Sequence, residues 1–527
     1  MRHVRFWKRS VRIKLNKRSE TNQHHETIKV LRWWNMLFLG KGSALRQTLH
    51  GVISLALRLF FRRIETSNVE TVPHEDPIIF VLNHPNGLVD PALVFVSLPR
   101  RVSFLAKSTL FSIPVGGAII RALEALPVYR RIDADADMSK NLETFRTCQQ
   151  FLAENRCVAI FPEGLSHDDT KLKPIKTGAA RIALGALGVG LEGEKRRRRG
   201  EKEKGRWGER EKDEFATDNE QLTTNNEQLT ANKIHLKIMA VGLFYTSKTA
   251  FRSEVLIRYG EILEVEPVAL DENGEPPREA VQKLTDKIET ALRNVTLNLE
   301  SQAELGMVLK AEALFSSVYE NLLFKQTLTH SFQRLQSLAE KYKLLGQHEP
   351  AKMRALEEKI SAYESDLRTS GVTTESLSVL QHPTWYVFRY LILRLFLLIL
   401  LSPLAITGAI IHSPTYVFSN FIGLMFKTHG ADAAGSTYKI VAAMVFMPLT
   451  WIIMARAVFY FFGWQIAILS IPVTILCGYI ALRSSETLID LTVWLKSAWL
   501  LFRQRGLFLR LLWDRETLQK EIGELID

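Results

Sequence analysis

The chain is 527 residues long, 46% apolar, and carries a formal net charge of +12. That length excludes a single ordinary domain and points to about three units, with apolar residues enough for a core and for a bilayer. The basic balance admits nucleic acid, acidic substrates or an anionic membrane surface, and the apolar C-terminal segments favour the membrane.

Residues 1–43 read as a basic arm. Arg2, Arg5, Lys8, Arg9, Arg12, Lys14, Lys17 and Arg18 come before any acid, with Phe6, Trp7, Trp33, Trp34 and Phe38 among and after them. Such an arm suits an anionic lipid surface, and equally a solvated tail. No apolar h-region follows the charges directly, so a cleaved signal peptide is not expected. Residues 44–64 read as an amphipathic helix ending in Arg58, Arg62 and Arg63, set in a membrane interface or against a core.

From about Val69 to Leu263 the pattern is α/β. Apolar runs predict strands at 78–82, 102–105, 157–161, 236–244 and 254–259, with helices between them such as 139–154 and 174–188. The expected fold is a mixed or largely parallel sheet with flanking helices, a domain spanning 44–266. A low-complexity insertion interrupts it at about 192–233. Lys195 to Arg199 open the insertion, and Asn219-Glu220-Gln221-Leu222-Thr223 recurs as Asn226-Glu227-Gln228-Leu229-Thr230. Acidic residues dilute the basic run and no aromatic pattern accompanies it, so nucleic acid is not an expected partner.

Residues 275–380 are rich in Ala, Leu, Glu, Lys and Gln and predict a helical region, with a hairpin break near Gly346 to Pro350. Membrane segments occupy 385–482. Leu395 to Ile411 is one apolar run, and Ile440 to Leu482 is long enough for two spans with a turn near Gly463. Arg456 inside the second run must snorkel or face protein. Arginines flank both ends (Arg389 and Arg394, then Arg483, Arg503, Arg505 and Arg510). Those flanks predict cytoplasmic ends and an even number of spans, with one apolar segment re-entrant or interfacial. An amphipathic helical tail, 483–527, closes the chain. Cys148, Cys157 and Cys477 have no metal spacing and form no disulfide framework, so the catalytic part is expected in a reducing compartment.

The chemistry concentrates where strands end. After Ile78 to Leu82, the segment Asn83-His84-Pro85-Asn86-Gly87-Leu88-Val89-Asp90-Pro91 holds an imidazole and a carboxylate a few residues apart. A His oriented by an Asp takes a proton from a hydroxyl. Asp90-Pro91 also reads as a helix start, Asp as N-cap and Pro at the first helical position, and the two readings are compatible. A second strand ends in Phe161-Pro162-Glu163-Gly164-Leu165-Ser166-His167-Asp168, followed by Lys171, Lys173, Lys176 and Arg181. Strand C-terminal ends are where open α/β sheets bind ligands. The cations there form either a phosphate site or a solvated helix start. Leu126-Pro127-Val128-Tyr129-Arg130-Arg131 adds two arginines able to grip an anion.

In this order, these segments resemble the PlsC-like glycerolipid acyltransferase family over roughly residues 45–265, less the insertion. Asn83-His84 with Asp90 looks like the first block, Arg130 like the arginine of the second, and Phe161-Pro162-Glu163-Gly164 like the third. Ala240 to Tyr245 resembles the fourth, with Ala240 where proline is usual. His84 and Asp90 stand one residue further apart than in the commonest first block, and Ser166 replaces the usual third-block arginine. Both departures fit the branch of eukaryotic-type glycerol-3-phosphate and dihydroxyacetone-phosphate acyltransferases and their bacterial relatives.

The resemblance implies a membrane enzyme, its catalytic domain on the cytoplasmic side. It would move a fatty acyl group from acyl-CoA or acyl carrier protein to a hydroxyl of a glycerol phosphate, with no metal or redox cofactor. His84 would be the general base and Asp90 its orienting partner. Arg130, Arg131, Glu163, Gly164, Ser166, His167, Lys173 and Lys176 would bind the substrate. Backbone N–H groups of the Asn83–Gly87 loop would stabilise the oxyanion. The alternatives are acylation of lysophosphatidate or another lysophospholipid, and a non-catalytic membrane scaffold.

Overall fold

The computed structural model describes residues 43–130, 132–133, 137–188, 235–272, 274–316, 327–374, 377, 384–425 and 432–526. The basic arm before Ser43 and the 192–233 insertion lie outside them. Helix α1 (Ala44–Phe60) opens the fold, its first turn capped by the Ser43 hydroxyl, which accepts from the Arg46 N–H. It stops at Phe60 rather than running to residue 64, because the chain turns extended at Phe61 and enters a strand.

The strands are β1 (Arg63–Ser67), β2 (Ile78–Leu82), β3 (Val102–Lys107), β4 (Leu126–Val128), β5 (Cys157–Ile160), β6 (Lys237–Tyr245) and β7 (Glu254–Glu264). They form one 7-stranded sheet in the order β1-β7-β6-β2-β5-β3-β4. Every pairing is parallel except β6 with β7. The expected mixed sheet is therefore present. β1 and β4 were not marked by the residue pattern. The first is hidden under a basic run, and the second is a short edge strand with Pro127 inside it.

Strand β2 is buried at every position, as an unbroken apolar run must be when helices cover both faces. Ile78, Phe80 and Leu82 pack into a core with α1 and α2 (Val89–Ser97). After α3 (Pro114–Ala122) come α4 (Lys140–Ala153), α5 (Gly178–Gly188) and α6 (Arg278–Val295). Ile79 and Val81 face the core built from α4, α5 and α6. Each such side chain, fully buried, contributes about 1.5–3 kcal/mol, and together they hold β2 immobile just before His84.

Beyond the sheet, α7 (Gln302–Ser316), α8 (Leu328–His348) and α9 (Pro350–Ser370) form the helical region, with the hairpin break at Glu349-Pro350. Three long helices follow: α10 (Thr384–Met425), α11 (Asp432–Phe462) and α12 (Trp464–Arg503). Each contains a segment long and apolar enough to cross a membrane, at 35, 26 and 29 residues. A residue rises 1.5 Å, so each exceeds the roughly 30 Å hydrocarbon core, and length alone leaves no segment to call re-entrant. Gly463, at φ 81°, makes the expected turn between α11 and α12. Arg456 is exposed, its guanidinium over the Phe459 ring, a few residues before that turn and within snorkelling reach of the surface. The last helix, α13 (Arg505–Ile526), returns to the helical region, burying Phe508, Leu511, Leu518 and Ile522 there.

The apolar helices dock on the sheet domain. Ile440 of α11 joins the core beside β2. Glu486 of α12 pairs with Arg252 at 2.5 Å, and Asp490 with Arg62 at 3.7 Å.

Candidate active site

Because β6, β2, β5, β3 and β4 run in one direction, their C-terminal ends share one edge of the sheet. Along that edge stand, in spatial order, Tyr245, His84, Glu163, Lys107 and Arg130. Neighbouring strands are about 4.8 Å apart, so residues distant in sequence meet within the reach of their side chains.

The loop after β2 is held from several directions. The Asn83 side chain donates to the Leu243 carbonyl and accepts from the Leu243 N–H, at 3.1 and 2.8 Å, extending the β2–β6 pairing past the strand's end. His84 Nδ1 lies 2.9 Å from Asp90 Oδ2, and its ring stacks on Phe161 at 4.1 Å between centroids. The imidazole is 17% exposed and the Asp90 carboxylate 0%. His84 Nε2 has no partner among the described residues. Nδ1 therefore carries the proton toward Asp90, and Nε2 presents its lone pair to the cleft.

Asp90 accepts two further bonds. The Asn86 N–H donates to Oδ2 at 2.7 Å, and the Tyr245 hydroxyl donates to Oδ1. Burial first, then the charge of Asp90 and the bond itself, push the Tyr245 phenol far above its ordinary range, so it stays a donor. Asp90 is not the N-cap. Helix α2 begins at Val89, Leu88 holds the cap position, and the Asp90 carboxylate lies in the first turn, where the helix dipole favours it. Its side chain is turned back to the loop, which is why it cannot cap.

From His84 to Leu88 the backbone N–H groups of this loop are already bonded within the protein. The N–H of His84 donates to Glu163 Oε1, that of Asn86 to Asp90, that of Gly87 to Ser166 Oγ and that of Leu88 to Thr437 Oγ1 on α11. Pro85 has none. The expectation that Asn83–Gly87 supplies the oxyanion donors is thus corrected for these residues.

The segment after β5 is a brace. Glu163 is fully buried. Its Oε1 accepts from His84, while Oε2 accepts from the Lys173 N–H and bonds His167 Nε2. His167 Nδ1 accepts from the Asp169 N–H, which makes Nε2 the donor to Glu163. Glu163 and His167 therefore spend their polar atoms on the protein, Ser166 accepts from Gly87, and all three hold the His84 loop in position. Lys173 Nζ pairs with Asp169 at 3.1 Å, on the exposed side.

The cationic corner is separate. Arg130 donates to the Gly164 carbonyl at 3.1 Å and grips both oxygens of Asp133 at 3.0 and 2.8 Å. Lys107, at the end of β3, reaches Asp133 at 3.2 Å. Those bonds, from Arg130 first, hold the Asp133 carboxyl down at about 2. Three of the five guanidinium N–H groups of Arg130 are used, leaving the others for a ligand. Gly164 has φ +76°, and the Lys176 side chain crosses the space a Cβ would fill there. Lys176 has no carboxylate partner among the described residues. Arg131 lies outside them. Lys107 and Asp133 were missed. Lys107 ends an apolar strand but no Pro or Gly follows to mark the strand's end, as they do after His84.

Comparison with known proteins finds relatives for both halves of the chain. Residues 63–191 match the family model described as Acyltransferase, and 314–527 match the one described as Glycerol-3-phosphate acyltransferase 2 C-terminal domain. Over its sheet domain the chain is thus similar to the PlsC-like acyltransferases. Glycerol-3-phosphate O-acyltransferase 1 of Saccharomyces cerevisiae is 23% identical over 519 residues, 80% of this chain and 62% of that one. Glycerol-3-phosphate O-acyltransferase 2 of the same yeast is 26% identical over 60% of this chain and 38% of its own length. An uncharacterized acyltransferase of Schizosaccharomyces pombe is 21% identical over 84% of this chain and 74% of its own. The chain thus spans less than two thirds of either Saccharomyces relative. Ser166, which stands where the sequence resemblance expects an arginine, clamps the His84 loop through the Gly87 N–H.

Proposed function

We propose that the protein is a membrane-bound O-acyltransferase. It moves a fatty acyl group from an acyl thioester, acyl-CoA or acyl carrier protein, to a hydroxyl of glycerol 3-phosphate or dihydroxyacetone phosphate. The observation that carries the reading is the shared sheet edge. An imidazole with a free Nε2 backed by a buried carboxylate shares it with Arg130 and Lys176, which keep two N–H groups and an ammonium for a phosphate. The names of the Saccharomyces relatives point to glycerol 3-phosphate as acceptor.

In this mechanism the phosphate sits between Lys176 and the remaining N–H groups of Arg130. The acceptor hydroxyl hydrogen-bonds His84 Nε2. As its oxygen attacks the thioester carbonyl, the proton passes to Nε2, and Asp90 balances the imidazolium charge. The tetrahedral intermediate collapses, the C–S bond breaks, and the thiolate leaves with the proton from His84. The reading needs no metal or redox cofactor. General-base assistance of this kind supplies about 10²–10⁴-fold. The apolar helices keep the site at the interface where an acyl chain and a phosphate meet, and the reading takes the catalytic domain to be on the cytoplasmic side, where acyl thioesters are supplied.

The test is to supply membranes bearing the full chain with glycerol 3-phosphate, dihydroxyacetone phosphate or lysophosphatidate in turn, with acyl-CoA or acyl carrier protein as donor. Product is expected with a glycerol-phosphate acceptor, and His84→Ala should lose at least about 100-fold while remaining membrane-bound. Turnover by lysophosphatidate alone overturns the acceptor. Wild-type turnover in His84→Ala overturns the dyad, and no product from any pair leaves the scaffold reading.

A further inference from the structure

We infer that Tyr245 is a positioning residue of the acyl transfer: its buried hydroxyl, donating to Asp90 Oδ1, sets the orientation and hydrogen-bonding strength of the carboxylate that backs His84. The inference rests on the His84–Asp90 reading above and adds a third member to it. Tyr245 is the last residue of β6, and Asn83 ties the end of β2 to the same strand at Leu243. The strand that carries the hydroxyl is thus locked to the strand that carries the imidazole. Asp90 is 0% exposed, so no water competes for its oxygens. Oδ2 serves His84 and the Asn86 N–H, while Oδ1 has Tyr245.

The division has a chemical consequence. A donor on Oδ1 withdraws charge from the carboxylate and weakens its hold on the imidazolium. It also fixes the carboxylate plane, so that Oδ2 meets Nδ1 in line. A phenylalanine in this place would fill the same volume beside Phe61, whose ring packs at 5.9 Å. It would leave Oδ1 buried without a partner.

Other groups face the dyad. Glu163, with its partner His167, comes from the segment after β5. Lys248, from the loop after β6, pairs with Asp168 at 2.9 Å, and the adjoining start of α11 brings Lys439 to the Thr249 carbonyl. Asp90 itself accepts from His84, Asn86 and Tyr245, so removing the phenol acts first on that carboxylate.

The experiment uses the full chain in membranes with glycerol 3-phosphate and acyl-CoA. Tyr245→Phe should lower kcat about tenfold, the effect of one hydrogen bond, with acceptor KM little changed. The acid limb of kcat/KM against pH should move to higher pH, because the unmasked carboxylate holds the imidazolium more firmly. Site-specific 3,5-difluorotyrosine at 245 keeps the shape and strengthens the donor, so the limb should move to lower pH. In an Asp90→Asn background, Tyr245→Phe should change neither kcat nor the profile further.

A thermal-stability loss in Tyr245→Phe with an unmoved acid limb, or the same limb for both replacements, would overturn the inference. If Tyr245→Phe does not fold, the direction of the difluorotyrosine shift decides. Wild-type turnover in His84→Ala would instead sink the reading on which the inference stands, and that result is read separately.

Discussion

Two neighbourhoods on one sheet edge differ in how their polar atoms are spent. Around His84, both Asp90 oxygens and the N–H groups of His84, Asn86, Gly87 and Leu88 are bonded within the protein. Around Gly164, Lys176 and part of Arg130 have no partner among the described residues. On the proposed mechanism, then, the base is built before substrate arrives, whereas the anion corner would be completed by its ligand. Preorganisation belongs where charge develops in the transition state, and open cations belong where binding energy is collected. Substitutions on the first side should move kcat or stability, and those on the second should move KM.

The largest expected effect is at Glu163, which the residue pattern places against substrate and the structure places in the brace. Glu163→Gln cannot accept from His84, Lys173 and His167 together without turning its own amide N–H groups against a donor. Each buried donor left unpaired costs about 1–3 kcal/mol. Thermal unfolding should fall by several degrees and kcat should fall with it. A KM change at unaltered melting temperature would return Glu163 to the acceptor pocket and blur the comparison.

Next in size is Lys176→Met. A charge-assisted hydrogen bond to phosphate contributes about 1.5–3 kcal/mol, so KM for glycerol 3-phosphate should rise about 10–100-fold with kcat nearly constant. Steady-state kinetics at saturating donor measure this. A fall in kcat at constant KM would place Lys176 on the catalytic side of the division.

What was legible in the sequence follows the same line. His84, Asp90 and the Glu163 segment stand where an apolar run meets Pro or Gly, and that signal needs no tertiary knowledge. So do the turn at Gly463 and the break at Pro350. Lys107 ends its strand without such punctuation, and its place beside Arg130 depends on β3 lying next to β4. Tyr245 reads as one more core residue until the sheet order sets β6 beside β2. Thr437 reaches Leu88 across 349 residues of chain, a contact no local pattern contains. The helix expected through residue 64 failed because a basic amphipathic run and an edge strand share composition, and only pairing with β7 distinguishes them.

The smallest effect is predicted for Asp133, which lies between the two neighbourhoods in character. Its carboxylate is bonded, yet it is covered by Arg130 and Lys107 rather than by depth in the core. Hydrogen bonds from Arg130 lower it from 3.8 to about 2. For an acid held down in the folded state, the stabilisation is complete above the unfolded value and is lost as pH falls toward the folded one. Wild type should thus exceed Asp133→Asn in melting temperature at pH 6. The gap should begin to close below about pH 4 and vanish near pH 2. Solvent screening limits the difference to no more than about 1 kcal/mol. The same substitution frees Arg130 and Lys107 from their acid, so acceptor KM should fall slightly if Asp133 competes with the phosphate. If Asp133 serves mainly to aim Arg130, KM should rise instead. Melting curves from pH 6 to pH 3 and acceptor KM at neutral pH separate the two. A gap that persists unchanged to pH 3 would mean the Arg130–Asp133 pair is not what stabilises this corner.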